Sequence, residues 1–135
     1  MNDKSIIRIA AWSGALSVAL GAFGAHGLES MAESGKIDNA DLHTFETAVR
    51  YQFYHTFALM AVGLLHNYLS EKSMRRIAWL FIAGMLIFSG SLYLLTFSPV
   101  LFGERMGWFG AITPLGGLSF IAGWIMLALQ FRKSR

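Results

Sequence analysis

Charge interrupts this chain in only five places. All 19 Asp, Glu, Lys and Arg residues fall in five clusters, which leaves charge-free stretches at residues 9–28, 51–70, 77–103 and 106–131. Each stretch holds at least 20 residues, and about 20 helical residues rising about 1.5 Å each cross a hydrocarbon core of about 30 Å. Lipid offers no partner to a backbone N–H or C=O, so a spanning segment must satisfy its own groups as a helix. The expected fold class is all-α: an integral membrane four-helix antiparallel bundle, with residues 1–135 as a single transmembrane domain. Spans are expected at about 6–28, 51–69, 76–97 and 112–131, with an external loop and helix extension over 29–50.

Orientation follows from the basic residues. Lys4, Arg8, Lys72, Arg75, Arg76, Arg132, Lys133 and Arg135 fall on one side, and Lys36, Arg50 and Arg105 on the other. Over short loops this asymmetry places both termini and the second loop in the cytoplasm, and the protein in the cytoplasmic (inner) membrane as a multi-pass chain. The basic pI is then a matter of topology: the expected partner is membrane lipid, and nucleic acid is not expected. The first stretch also reads as a cleaved signal peptide, with Lys4 and Arg8 ahead of an apolar run and small residues at Ala22 and Gly24, although the run is long for one. With no cysteine there is no disulfide, thiolate nucleophile or Cys-ligated metal.

Along the first helix, Ala10, Gly14, Ser17, Gly21 and Gly24 recur at three- and four-residue spacing. Such a stripe lets another helix backbone approach closely, and Gly90, Gly116, Gly117 and Gly123 suggest similar contacts on helices three and four. Self-association through glycine-rich faces, giving a homo-oligomer, is expected on the same ground. The region from Glu29 to about Asn39 reads as a polar loop, with Asp41 as a cap for helix two and Glu46 and Arg50 spaced for an i, i+4 ion pair. Thr113 before Pro114 reads as an N-cap with proline at the first helical position, the alternative being a longer helix kinked at Pro114.

Polar residues inside a membrane are costly, so their depth is informative. Measured along each helix, His26, His55, Tyr93 and Thr113 fall in one outer layer, with Arg50 and Gln52 within a turn of it. Three readings follow. In the first the layer is structural, its members hydrogen-bonding across helices. In the second, His26, Arg50, Gln52, His55, Tyr93 and Thr113 form an outer-leaflet site that binds or transports a small solute, lipid or proton. In the third, His26, His43, His55 and Glu46 support metal binding or membrane enzymology, although their spacings match no compact ligand motif. Ser89 and Ser91 have no visible acid partner for a nucleophile system. The first reading, a non-enzymatic structural or interaction protein, is the expectation; no catalytic residue, cofactor or metal is assigned.

The strings GAFGAHGL (21–28), TAVRYQFYHTFAL (47–59), FSGSLYLL (88–95) and ITPLGGLSFIAGW (112–124) resemble the YgdD-like family of small bacterial inner-membrane proteins. The resemblance implies a four-helix multi-pass protein of the cytoplasmic membrane. It extends in order over all four expected spans, and it implies no activity, since the family is a domain of unknown function.

Overall fold

The computed structural model describes residues 1–132 as an all-helical chain. Lys133 and Arg135, counted above in the basic rim, lie outside the described residues. Four helices account for almost all of the rest. We label them α1 (Asp3–Glu33), α2 (Asn39–Leu64), α3 (Glu71–Phe102) and α4 (Trp108–Gln130). A π-helical turn interrupts α1 at Gly24–Leu28 and α3 at Met85–Ser89. α1, α3 and α4 are long and apolar enough to cross a membrane. α2 carries Asp41, Glu46, Arg50, Gln52 and His55 along its length.

The helix ends differ from expectation for local reasons. Glu29–Glu33 is not loop but a continuation of α1, because Leu28 is fully buried and Met31 and Ala32 pack with it against Phe45. The connection shrinks to residues 34–38, turning at Gly35 with φ of 74°. Asp38, not Asp41, caps α2: the Asp41 N–H donates to Asp38 Oδ1 at 2.7 Å, and the Asp38 N–H donates back to Asp41 Oδ2 at 3.3 Å. Thr113 is likewise not an N-cap. α4 begins at Trp108, with Pro114 inside it, because Ser98 Oγ accepts from the Met106 N–H at 3.0 Å and fixes the chain there. α3 also runs through a proline, Pro99, before Gly103 ends it in the left-handed region at φ of 79°.

α2 and α3 form the central pair, with α1 packed along α2 and α4 along α3. The contacts run in reverse order. A Cβ at Gly14 would meet Thr56, at Gly21 Val49 and at Gly24 Phe45, while Gly63 lies against Ile7. On the other flank Gly123 lies against Phe81, Gly84 against Phe120 and Gly116 against Phe88. The small residues of α1 therefore face α2, with Ala10 and Ser17 buried between them. Gly116 and Gly123 face α3, whereas Gly90 has open space beside it and Gly117 only Phe88 at 3.9 Å.

Two apolar clusters result. One gathers Ile6, Leu59, Val62, Ile77, Phe81 and Phe120 near the chain termini. The other gathers Leu28, Ile37 and Phe45 near the connections after α1 and α3. We refer to these as the terminal end and the loop end. Outside, Trp12, Leu86, Leu118 and Ile125 are exposed, while Ser17, Gln52, Thr56, Ser89 and Thr96 are buried. Apolar side chains cover the surface and hydroxyls and amides lie within, the distribution that hydrocarbon surroundings favour.

Candidate functional site

Between the two apolar clusters the buried polar side chains of α1, α2 and α3 converge. The Tyr93 hydroxyl donates to Gln52 Oε1 at 2.8 Å. Gln52 Nε2 donates to the Ser13 carbonyl at 3.4 Å, which also accepts from Ser17 Oγ at 2.8 Å. Ser13 Oγ lies 2.7 Å from Thr56 Oγ1, and both hydroxyls approach Met85 Sδ, at 3.7 and 3.9 Å. Gln52 thus joins three helices. It can do so because α2 presents positions 45, 48, 52, 55, 56 and 59 inward, the three- and four-residue recurrence of one helix face.

Further polar pairs tie α3 and α4. Thr113 Oγ1 lies 2.8 Å from Ser91 Oγ, and Ser119 Oγ donates to the Leu80 carbonyl at 2.7 Å. Ser89 Oγ donates to the Ala48 carbonyl at 2.8 Å. His55 turns toward α4. Its Nε2 lies 3.3 Å from Trp124 Nε1 and its Nδ1 2.7 Å from the Tyr51 carbonyl oxygen. An indole N–H only donates, so Nε2 accepts and Nδ1 carries the proton. The ring stacks on Phe120 with centroids 3.4 Å apart and planes at 7°. Both nitrogens and a face are engaged by the protein itself.

His26 and Arg50 stand apart from this layer, and both are exposed. His26 is two positions from buried Gly24 and Leu28, and Arg50 is two from buried Ala48 and Gln52. Two positions is about 200° around a helix. Arg50 has the depth of Gln52 but is rotated away from it; His26 has neither depth nor direction, because Gly14 lies against Thr56 and Gly24 against Phe45, which puts His26 about 13 Å toward the loop end from Gln52. Nor does Arg50 pair with Glu46, whose Oε2 lies 3.3 Å from His43 Nδ1 instead. Arg50 and Glu46 line a groove of about 420 Å³ between α1 and α2, along with Ser17, Gly21 and Gly24. A second groove of about 410 Å³, between α1 and α3, has Ser13, Gln52 and Tyr93 in its lining and is otherwise largely apolar. Among the described residues no three His, Cys, Asp or Glu side chains are grouped to hold a metal ion.

At the loop end lies a polar node that sequence reasoning missed. Asp41 is 2% exposed, and its Oδ1 sits 3.1 Å from Arg105 Nη1 without the alignment of a hydrogen bond. Arg105 also lies 3.8 Å from Asp38, and Thr96 Oγ1 donates to the Asp41 carbonyl at 3.2 Å. No local signal links residues so distant in sequence. For Thr56 and Ser13 a signal existed: Thr56 is four positions from Gln52, and Ser13 is four from Ser17 in the small-residue stripe.

The family profile described as "Protein of unknown function (DUF423)" matches residues 20–117, which contain all of α2 and α3 and most of the polar layer. This chain belongs to the DUF423 family. It is 42% identical over 131 residues to the UPF0382 membrane protein YwdK of Bacillus subtilis (strain 168), covering 96% of this chain and 98% of the relative. It is 40% identical over 130 residues to the UPF0382 membrane protein SH2409 of Staphylococcus haemolyticus (strain JCSC1435), covering 96% and 97%. A Staphylococcus aureus relative, UPF0382 membrane protein SAB0533, is also 40% identical over 130 residues. No solved structure matches the chain. DUF423 membership and three membrane-length apolar helices make this a helical membrane protein of a family of unknown function.

Proposed function

We propose that this protein is a non-enzymatic structural or interaction protein of the cytoplasmic membrane. In this reading it is an antiparallel four-helix bundle with both termini and the α2–α3 connection in the cytoplasm. The reversed order of contacts between α1 and α2 and between α3 and α4 supports the antiparallel arrangement. The basic residues Lys72, Arg75 and Arg76 at the terminal end support the orientation. One observation carries the functional reading: Gln52, buried among three helices, uses both ends of its amide on Tyr93 and Ser13. His55, Tyr93 and Thr113 are likewise engaged by protein partners. Such a layer fixes helix register and leaves few of its polar groups for a guest. Self-association is part of the proposal. Because most of the glycine faces are used within the chain, it relies on the exposed apolar faces of α1 and α4, including Trp12, Leu16, Leu118 and Ile125.

The test is a double-mutant cycle. Gln52→Leu and Tyr93→Phe, alone and together, are compared by reversible unfolding in detergent. Each single change is expected to destabilise by about 1 kcal/mol, with a coupling near 0.6 and at most about 1.7 kcal/mol. Strict additivity, or no loss of stability from either change, overturns the structural role.

A second reading rests on Arg50, which lines the α1–α2 groove and makes no ion pair within 4.0 Å among the described residues. Here the groove takes a small solute, lipid or proton from the loop end. Flux into proteoliposomes that disappears with Arg50→Gln, at unchanged stability, favours this reading over the first.

A further inference from the structure

A wide trough lies far from the polar layer. At the terminal end a trough of about 880 Å³ opens between α3 and α4, with Lys72, Arg75 and Arg76 at its rim and Trp79, Ala83 and Met126 farther in. Lys72, Arg75, Arg76, Trp79 and Ala83 recur at three- and four-residue spacing on α3, so charge, indole and small residue follow one another down a single helix face. The only acid in the lining is Glu71, whose Oε1 is 4.0 Å from Arg75 Nη1. Among the described residues, Lys72 and Arg76 have no acidic partner within 4.0 Å.

Depth makes this sequence of side chains specific. α3 has 32 residues, about 48 Å of helix against a hydrocarbon core of about 30 Å, so about six residues project at each end. Residues 71–76 are then at the headgroup level, Trp79 at the boundary, and Ala83 and Met126 among acyl chains. Tryptophan favours that boundary, and arginine binds phosphate oxygens through two parallel N–H groups. Ala83 and the interior of the trough leave room for a chain below the headgroup.

We propose that this trough is a binding site for an anionic glycerophospholipid. Its phosphodiester is held by Lys72, Arg75 and Arg76, and an acyl chain lies along Trp79, Ala83 and Met126. A basic pocket between transmembrane helices matches this lipid class in both charge and apolar continuation. A free anion satisfies only the rim, and a zwitterionic lipid satisfies the cations less because its own ammonium competes.

Purified full-length protein in a neutral detergent provides the test. Phosphatidylglycerol and phosphatidylcholine are titrated separately, with inorganic phosphate as a third arm, and bound lipid is read by native mass spectrometry alongside the unfolding temperature. Phosphatidylglycerol is expected to bind more tightly than phosphatidylcholine and to raise the unfolding temperature. K72Q/R75Q/R76Q is expected to weaken phosphatidylglycerol binding by about tenfold or more. Ala83→Trp fills the trough and leaves every charge in place, and it too is expected to lower binding. Equal binding of the two lipids overturns the proposal. So does an equal thermal shift with inorganic phosphate, or full phosphatidylglycerol preference in both variants. If the triple variant does not fold, Ala83→Trp decides alone.

Discussion

α2 and α4 reverse the arrangement familiar from water-soluble proteins. α2 carries the charges and amides, yet it is the helix with ten buried residues, including Asp41, Gln52, His55 and Thr56. α4 has no charged residue and buries only Phe109, Gly116, Phe120 and Gly123, while Leu115, Leu118, Ile121 and Ile125 point outward. In water the apolar helix would be the one to hide. In hydrocarbon, exposed leucine costs nothing and an exposed amide costs its missing hydrogen bonds, so polarity rather than apolarity decides which helix goes inside. Apolar burial still contributes, through packing density and dispersion rather than through expulsion of water.

The sharpest way to break this contrast is to truncate one large side chain on each helix. Phe45, at 1% exposure, contacts Phe23, Tyr93 and Phe97. Phe45→Ala is expected to destabilise by about 2–4 kcal/mol through the cavity it leaves. Leu118, at 61% exposure, is expected to change stability by less than about 0.5 kcal/mol when cut to alanine. Equal losses, read by unfolding in detergent, would remove the distinction.

A finer comparison lies within α4 itself. A Cβ at Gly116 runs into the backbone of Phe88, whereas one at Gly117 meets only the Phe88 ring at 3.9 Å. Gly116→Ala should therefore cost about 1–3 kcal/mol by forcing the helices apart. Gly117→Ala should be neutral or slightly stabilising, since alanine is the better helix former. Reversal of that order in thermal melts would mean that α4 packs on α3 through a different face.

A last comparison concerns the charged end of α2. Arg105→Gln removes the cation beside buried Asp41 and should cost about 1–2 kcal/mol, less than Phe45→Ala because Asp41 keeps its bond to the Asp38 N–H and can draw in water. The loss should shrink when Asp41→Asn is made as well. If the two changes are additive in unfolding measurements, the Arg105–Asp41 contact makes no contribution.

Much of this was legible in the chain. Charge-free stretches of at least 20 residues implied helices, and α1, α3 and α4 meet the length and apolarity needed to cross a membrane. The recurrence of Ala10, Gly14, Ser17, Gly21 and Gly24 is visible in the sequence, and these residues lie on the side of α1 that faces α2. Helix ends were less legible. Pro114 was read as the first position of a helix, with a longer helix running through it as the alternative; it lies inside α4, and Pro99 lies inside α3, as lipid-facing helices tolerate when neighbouring groups satisfy the freed carbonyls. His26 and Arg50 mark a different limit. Rise along one helix does not fix how neighbouring helices are offset, so His26 lies toward the loop end of the layer, and Arg50, which has its depth, is rotated away from it.

Sequence alone therefore determined the local properties: which segments are helical and which face of α1 is small enough for close approach. Backbone hydrogen bonding in hydrocarbon forces those outcomes on any chain with this charge pattern. Tertiary structure decided which partners meet. Tyr93 with Gln52, Ser91 with Thr113, Trp124 with His55 and Arg105 with Asp41 are each drawn from different helices or connections. Those pairings depend on the relative rotation of whole helices, which side-chain packing sets collectively and no single segment encodes.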